Sequence, residues 1–244
     1  MTADLQPARG EEAIPDPPWQ RRRRRREPAR APLSRDAIVG AALRVVDAEG
    51  LAGMSMRRVA DELGTVPSAI YWHVRNKDEL LQLVLDRVAG EIELPEPDPA
   101  NWQEQAKQLA REMRRVLTKH RDIARVSIGS IPAGPNVLLV VEWMLGLLRS
   151  AGVPDRTAAL AGDLFGLYVG AYAYEESLGL ASPTGEDLPP GEVVAMLRDY
   201  WLSLPPSRFP NTVALVDSLF EGGPDERFEF GLDVLVQGLA AQAR

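Results

Sequence analysis

The chain has 244 residues, of which 45% are hydrophobic and 26% charged, a composition typical of a globular protein with one large or two small domains. It contains no cysteine and only two histidines, His73 and His120, which excludes disulfide scaffolds, thiolate metal sites, thiol nucleophiles and histidine-rich metal sites. Because no apolar run approaches the roughly 20 residues that span a bilayer, and no signal-peptide pattern follows Met1, we expect a cytoplasmic protein that does not enter a membrane.

The net charge of -7 is unevenly distributed along the chain. Residues 1–77 contain 14 basic and 10 acidic residues, whereas the remainder contains 14 basic and 25 acidic residues. A basic first third joined to an acidic remainder predicts that the first third binds a polyanion such as DNA.

Residues 1–32 contain six prolines and little apolar periodicity, so we expect a disordered arm. Within it lie six consecutive arginines: Arg21, Arg22, Arg23, Arg24, Arg25 and Arg26. Such a run suits a phosphate backbone or a narrow minor groove, and we expect it to contact DNA. A solvated tail that binds without specificity is the alternative.

The segment 33–94 has the pattern of a small helical domain. Apolar spacing predicts a first helix over about 34–49 that ends at Gly50, and Ser55 can cap a second helix that ends at Gly64. A third, very short helix is predicted to begin near Pro67. Asn76 and Glu79 form a capping-box pattern at the start of a fourth helix.

Three prolines at 95, 97 and 99 mark a domain boundary, and the remaining residues, 100–244, again have helical spacing. A second capping-box pattern at Asn101 predicts a long helix to about Lys119. Further helices are predicted over about 121–129, 136–151, 155–180, 191–203, 210–220 and 224–242. Since no segment alternates with a period of two, the predicted fold class is all-α.

Two short helices joined by a glycine turn, both packed on a preceding amphipathic helix, predict a helix-turn-helix unit. The third helix would present polar or flat side chains to a major groove: Ser68, Ala69, Tyr71, Trp72 and His73. For Trp72 we prefer a second interpretation, a core aromatic that pins the third helix to the first.

The segment Leu63–Leu81, with its leucine-glycine turn, aromatic pair and basic-Asn-Lys turn, resembles the signature of the TetR family of transcriptional regulators. The resemblance runs from about Leu33 to Leu85. It implies that Ser55, Arg57 and Arg58 face the DNA backbone and groove, and that Pro67, Ser68 and Ala69 read bases. Tyr71, His73 and Lys77 would contact phosphates.

Residues 100–180 resemble the ligand-binding half of tetracycline repressors, in the segments Trp102–Gln103, Leu117–Val126 and Leu167–Glu176. The resemblance implies a ligand pocket among the long helices. Ser127, Leu109 and Met113 stand where those repressors carry a metal-binding histidine, an asparagine and a phenylalanine. We therefore expect neither a magnesium-tetracycline ligand nor any metal or cofactor.

Apolar and aromatic residues on these helices could line a pocket for a flat or greasy organic molecule. The candidates are Leu109, Met113, Val116, Leu117, Trp143, Met144, Phe165, Tyr168 and Tyr172. Glu175 could accept a hydrogen bond from the ligand. Each of these residues could instead be ordinary core or, for Glu175, a solvated charge. His120 is interpreted as a helix-end histidine rather than a ligand contact.

Two patterns suggest a homodimer. Ala158, Gly162, Gly166 and Gly170 recur every four residues, which lets another helix approach closely. The last helix repeats Phe228, Leu232, Leu235, Val236 and Leu239. Together they resemble the four-helix dimer interface of the family, although packing within one chain would leave the same pattern.

These observations favour a homodimeric repressor that binds double-stranded operator DNA and leaves it when a small-molecule effector, such as an antibiotic, is bound. A nonspecific nucleic-acid or membrane-surface module is the alternative. An enzyme is not favoured, because the sequence offers no convincing pair of base and nucleophile and no phosphate-binding loop.

Overall fold

The computed structural model describes residues 33–178 and 188–243, and these form α-helices without any strand, as the sequence predicts. The arginine run of the predicted arm lies outside the described residues. No helix within the two described ranges is long and apolar enough to cross a membrane. The helices are α1 Arg35–Gly53, α2 Met56–Glu62, α3 Pro67–Ile70, α4 Lys77–Ala89, α5 Trp102–Lys119, α6 Ile123–Ser127, α7 Pro135–Ser150, α8 Asp155–Leu178, α9 Pro190–Leu202, α10 Pro210–Ala214, α11 Val216–Phe220 and α12 Pro224–Ala240.

Side-chain caps fix where the helices of the first segment begin. Ser34 Oγ accepts a hydrogen bond from the backbone N–H of Ala37, and Ser55 Oγ accepts one from Arg58, as expected of serine before a helix. Asn76 Oδ1 accepts from the N–H of Glu79. The Glu79 side chain reaches back to the N–H of Arg75 rather than to that of Asn76, so it satisfies a donor one residue before the predicted one.

The helix α1 continues four residues beyond its predicted end, to Gly53, but with a kink at Gly50. Gly50 has φ of 73° and ψ of 176°, a backbone conformation that favours glycine. The N–H of Leu51, which follows the kink, donates to Asp122 Oδ2 at 2.8 Å, and Asp122 itself has a positive φ of 60°. The loop before α6 therefore holds the end of α1.

The predicted capping box at Asn101 is wrong. The Asn101 side chain makes no cap hydrogen bond, because a 3-10 turn over Pro99–Asn101 precedes α5 and is capped instead by Asp98. Gln105 braces this turn, since its side-chain amide accepts from the N–H of Asp98 and donates to the carbonyl of Glu96.

The predicted helix over 210–220 is also wrong, because the chain breaks at Leu215 into α10 and α11. These two short helices pack on α9, around the buried side chains of Val193 and Val216. The other helices share one continuous core. Within it, α4 packs on α1 and also on α5, α6 and α7, so it joins α1–α3, which we call the head, to α5–α12, which we call the body.

Gly50→Ala tests the kink. Added at this position, a methyl group would lie 2.7 Å from Asp122 Oδ2, and alanine would also have to adopt a φ of 73° with a ψ of 176°, a combination essentially restricted to glycine. We expect the free energy of unfolding to fall by at least about 2 kcal/mol in chemical denaturation at fixed protein concentration.

Gly64→Ala is the matched control, because Gly64 also has a positive φ, of 61°, but no atom within 4 Å of an added methyl group. The backbone cost alone predicts a loss of about 1 kcal/mol. Equal losses for the two variants would contradict a steric role for Asp122.

Candidate DNA-binding face and ligand cavity

The predicted helix-turn-helix is formed by α2, the turn at Gly64 and α3. Helix α3 is a single turn that ends at Ile70, so Tyr71, Trp72 and His73 lie in the turn after it rather than within it. Ile70 is fully buried and α3 packs on α2, which leaves the opposite side of α3 outward. Ser68, Tyr71, Trp72 and His73 are exposed, whereas Pro67 and Ala69 are half-buried.

The interpretation of Trp72 as a core aromatic is wrong, because 69% of this residue is exposed. Since α3 ends early, the chain turns and points Val74, rather than Trp72, into the core. Tyr71 is 53% exposed beside it. Two large aromatic side chains without a core role thus stand on the side that carries Ser68 and His73.

The two arginines of α2 differ in their partners. Arg57 is exposed and forms no ion pair within the described residues. Arg58 donates to Glu49 at 2.6 Å and lies 3.3 Å from Glu62, and its hydrogen bond to Glu49 raises the pKa of the guanidinium. The charge of Arg58 is therefore already balanced by carboxylates, and Ser55 Oγ is engaged in the α2 cap.

Lys77 is half-buried and binds the protein itself. Its ammonium donates to the backbone carbonyls of Leu51, at 3.1 Å, and Met54, at 2.6 Å. These carbonyls lie at the end of α1, where backbone acceptors lack helical partners. The first residue of α4 is thereby tied to the end of α1, and an ammonium has one further N–H for an external group.

The second histidine of the chain, His120, is buried at the end of α5 and does not line the cavity described below. Its ring nitrogens lie 3.0 Å from Asp47 of α1 and 3.1 Å from Glu91. A hydrogen bond from Lys119 lowers the pKa of Glu91, so this carboxylate stays ionised at neutral pH. His120 thus connects α1, the end of α4 and α5.

A cavity of about 710 Å³ lies between α4, α5, α7 and α8, beside the segment 127–135 that follows α6. Most of its wall is apolar. Six of the ten predicted ligand-binding residues line it: Leu109, Met113, Val116, Leu117, Met144 and Phe165. Polar side chains also reach the wall, from Arg35, Gln82, Asp86, Ser127, Ser130 and Asp163.

The other four predicted residues, Trp143, Tyr168, Tyr172 and Glu175, do not line this cavity. The Trp143 indole N–H donates to the carbonyl of Pro95 instead, and Glu175 is exposed on the last turns of α8. Tyr168 and Tyr172 pack on Phe228 of α12, each with ring centres 5.4 Å apart. Burial raises the pKa of Tyr168, whose hydroxyl donates to the Phe228 carbonyl.

Sequence reasoning missed the part of the wall that comes from α4 and from the segment before α7. Gln82, Leu85, Asp86 and Ala89 of α4 line the cavity, as do residues 128–135. No pattern in the sequence marks them, because the sequence analysis placed α4 in the small domain 33–94, and only the packing of α4 on α7 turns it toward the body.

The predicted dimer patterns mostly describe packing within the chain. Ala158 and Gly170 are buried, Gly162 and Gly166 line the cavity, and the stripe of α12 is in the core, with Phe228, Leu232, Val236 and Leu239 buried and Leu235 half-buried. A different apolar set on the same two helices is exposed: Leu160, Leu164, Leu167, Phe230 and Val234.

Two family models match the chain: "Bacterial regulatory proteins, tetR family" over residues 38–84 and "Tetracyclin repressor-like, C-terminal domain" over residues 94–243. The transcriptional repressor DrrR1 of Streptomyces coeruleorubidus is 34% identical over 88% of this chain and 81% of its own length. The class C tetracycline repressor of Escherichia coli is 30% identical over 85% and 90%.

Among solved structures, the TetR family protein ActR of Streptomyces coelicolor in complex with actinorhodin is similar to this chain, with a TM-score of 0.79 and 45% identity. The match covers 88% of this chain and 98% of that one. A second ActR complex, with (S)-DNPA, is 43% identical with the same TM-score.

Trp72→Ala tests the exposed position of this aromatic. Because the side chain lies outside the core, we expect the free energy of unfolding to stay within about 0.5 kcal/mol of the parent value in chemical denaturation. Ile70→Ala, two residues earlier in the fully buried position, serves as the control and is expected to lose about 2 to 5 kcal/mol. A comparable loss for Trp72→Ala would place its ring in the core after all.

Proposed function

Because this chain belongs to the TetR family of bacterial regulatory proteins, we propose that it represses transcription from a promoter beside its operator and leaves the operator when an organic molecule occupies the cavity. The chain is a DNA-binding transcriptional regulator of that family, and its relatives are regulators rather than enzymes. One observation carries the proposal. The cavity is walled by α4, the helix whose first residue, Lys77, is bonded to the DNA-binding head.

The outward side of the helix-turn-helix has the chemistry of a DNA contact. Ser68, Tyr71 and His73 offer hydroxyl and imidazole donors to phosphates or bases, and Trp72 and Ala69 offer apolar surface to a thymine methyl group. Arg57 is the arginine of α2 without an ion pair in the described part of the chain, which favours it over Arg58 for contact with guanine.

The remaining contacts of the proposed interface have supporting roles. Pro67 begins α3, Ser55 caps α2, and the third N–H of Lys77 is available to a phosphate. The arginines 21–26 would add charge contacts to the backbone or minor groove, which are strong but carry little sequence information.

The ligand we propose is a compound of the kind that ActR binds, represented by actinorhodin and (S)-DNPA. The cavity suits an organic molecule because it is mostly apolar, with a few polar side chains at its wall to orient a ligand. In the described residues no group of three histidine, aspartate or glutamate side chains could hold a metal ion.

Release of the operator follows from the thermodynamic coupling between ligand binding and DNA binding. A ligand shifts the protein only if it binds the conformation that fails to fit the operator more tightly than the one that fits. Operator DNA then weakens ligand binding by the same factor.

Two copies of the chain would form the DNA-binding unit in the cytoplasm. The exposed apolar faces of α8 and α12 can pack against the same faces of a second copy, because a two-fold interface uses one patch twice. Two recognition helices would then reach successive major grooves about 34 Å apart on a nearly palindromic operator.

Binding of the purified protein to DNA upstream of its own gene tests this function. A gel shift at two salt concentrations with excess competitor DNA should give a discrete complex that resists competition, and actinorhodin should release it. Only smeared, salt-sensitive binding would instead favour a nonspecific nucleic-acid module driven by the arginine run.

Met113→Trp tests the cavity. The indole of tryptophan is larger than the methionine side chain and would fill part of the cavity. We therefore expect the actinorhodin concentration that releases half of the operator complex to rise at least about tenfold. Tyr172→Phe removes a hydroxyl outside the cavity and should leave release unchanged. If Tyr172→Phe impaired release and Met113→Trp did not, the ligand would lie beside Tyr168, Tyr172 and Phe228 instead.

Phe230→Glu tests the proposed dimer. Phe230 is 72% exposed on α12, so a carboxylate there costs the single chain little but would be buried between two copies. We expect monomers by light scattering and operator affinity lowered by about 100-fold, since one half-site is lost. Phe230→Leu, which keeps the position apolar, should remain dimeric. A dimeric Phe230→Glu protein would show that another face forms the interface.

A further inference from the structure

The first turn of α7 is capped by a residue of another helix. The residue before α7 is Gly134, which has no side chain to accept the backbone N–H groups of the turn, and Pro135 has no N–H. Asp86 of α4 supplies the acceptor instead. Its Oδ1 accepts from the N–H groups of Asn136, at 2.9 Å, and Val137, at 3.0 Å.

Asn136 completes this contact from the other side. Its side-chain amide donates to the backbone carbonyl of Asp86 at 3.0 Å and to Asp86 Oδ2 at 3.2 Å. Asp86 is buried, and a methyl group on Gly134 would collide with its carboxylate. A buried carboxylate at the N-terminus of a 16-residue helix is stabilised by these hydrogen bonds and by the helix dipole. We call this set of contacts the α4–α7 pin.

The rest of α4 is bonded to the DNA-binding head. Lys77 donates to the end of α1, Glu79 pairs with Arg35, and Arg87 pairs with Asp36 at 2.6 Å. These three contacts link α4 to the head. The pin then fixes the head relative to α7, at a point about 14 Å along α4 from Lys77.

The body holds the head at a second place, where His120 contacts Asp47 and Asp122 accepts from Leu51. None of these four residues lines the cavity, whereas Asp86, Gly134, Pro135 and Val137 all do. Of the two connections, only the pin is part of the cavity wall. A molecule that fills the space between α4 and α7 therefore acts directly on it.

We propose that Asp86 is a positioning residue that holds α4 and the head in the operator-binding arrangement, and that a ligand in the cavity releases the operator by parting Asp86 from α7. This inference rests on the proposed function. It also identifies a class of effective ligand: a molecule whose hydroxyl or amine donates to Asp86 competes with the N–H groups of α7 for the same carboxylate.

The pin predicts opposite effects on the two affinities. Removing it destabilises only the operator-binding arrangement, so the population of the ligand-binding arrangement rises. For Asp86→Asn we expect operator affinity to fall at least about threefold, and the change in ligand affinity is measured in a second variant because Asp86 itself would contact the ligand. A merely structural defect would weaken both.

Asn136→Ala separates the pin from direct ligand contact, because Asn136 bonds to Asp86 but does not line the cavity. For Asn136→Ala we expect operator affinity to fall about twofold and actinorhodin affinity to rise about threefold. Asp155→Asn is the matched control, since it changes an exposed carboxylate in the first turn of α8 and should alter neither affinity.

A ligand-independent measurement completes the test. The chain contains no cysteine, so Asp61→Cys on α2 and Glu142→Cys on α7 can carry spin labels, in labelled chains diluted with unlabelled ones. We expect the distance between the labels to shift or broaden when Asp86→Asn or Asn136→Ala is added. An unchanged distance in both variants, or operator and actinorhodin affinities that fall together in Asn136→Ala, would overturn the inference. Failure of the parent protein to bind its operator would overturn the proposed function and leave the distance measurement valid.

Discussion

The structure depends on the double attachment of α4. At its first residue the Lys77 ammonium is bound by carbonyls at the end of α1, and near its other end Asp86 caps α7. The apolar side of α4 meanwhile packs into a core that continues from the head into the body. Because both attachments are hydrogen-bonded and largely shielded from water, the head has little freedom to change its position without breaking one of them.

Ion pairs occupy many of the charges around the head. Glu79 pairs with Arg35 and Arg75, and Arg58 pairs with Glu49 and Glu62. The outer side carries Arg57, hydroxyl groups, an imidazole and an indole that have no role in the core. Such an arrangement keeps the head rigid while its outward groups remain available to a phosphate backbone. The acidic body, by contrast, would be repelled by the same polyanion.

The cavity and the proposed dimer surface both use α8, and Leu167 belongs to both. Phe165 and Gly166 of α8 face the cavity, whereas Leu160 and Leu164 are exposed on the side that would meet a second copy. A ligand in the cavity would therefore contact both α4 and α8, and a shift of α8 would also change the spacing of the two heads in the proposed dimer. Of the four small residues repeated along α8, Gly162 and Gly166 line the cavity.

Local patterns in the sequence determined most of the secondary structure and the helix-turn-helix. Serine and asparagine caps, glycine ends and helical spacing act over a few residues, so the starts of α1, α2, α3 and α4 follow from the sequence alone. The apolar half of the cavity wall, with Leu109, Met113 and Phe165, also follows, because each of these residues has the spacing of an inward helix face.

Only the tertiary structure decided which apolar residues enclose the cavity and which pack elsewhere. Tyr168 and Phe165 have equally good helical spacing, yet Tyr168 donates to α12 and Phe165 faces the cavity, because the neighbours of each turn of α8 differ. Trp72 is exposed since α3 stops after one turn. The cap that Asp86 provides for α7 joins residues 50 positions apart, and no local pattern encodes a hydrogen bond between helices that meet only after the chain has folded.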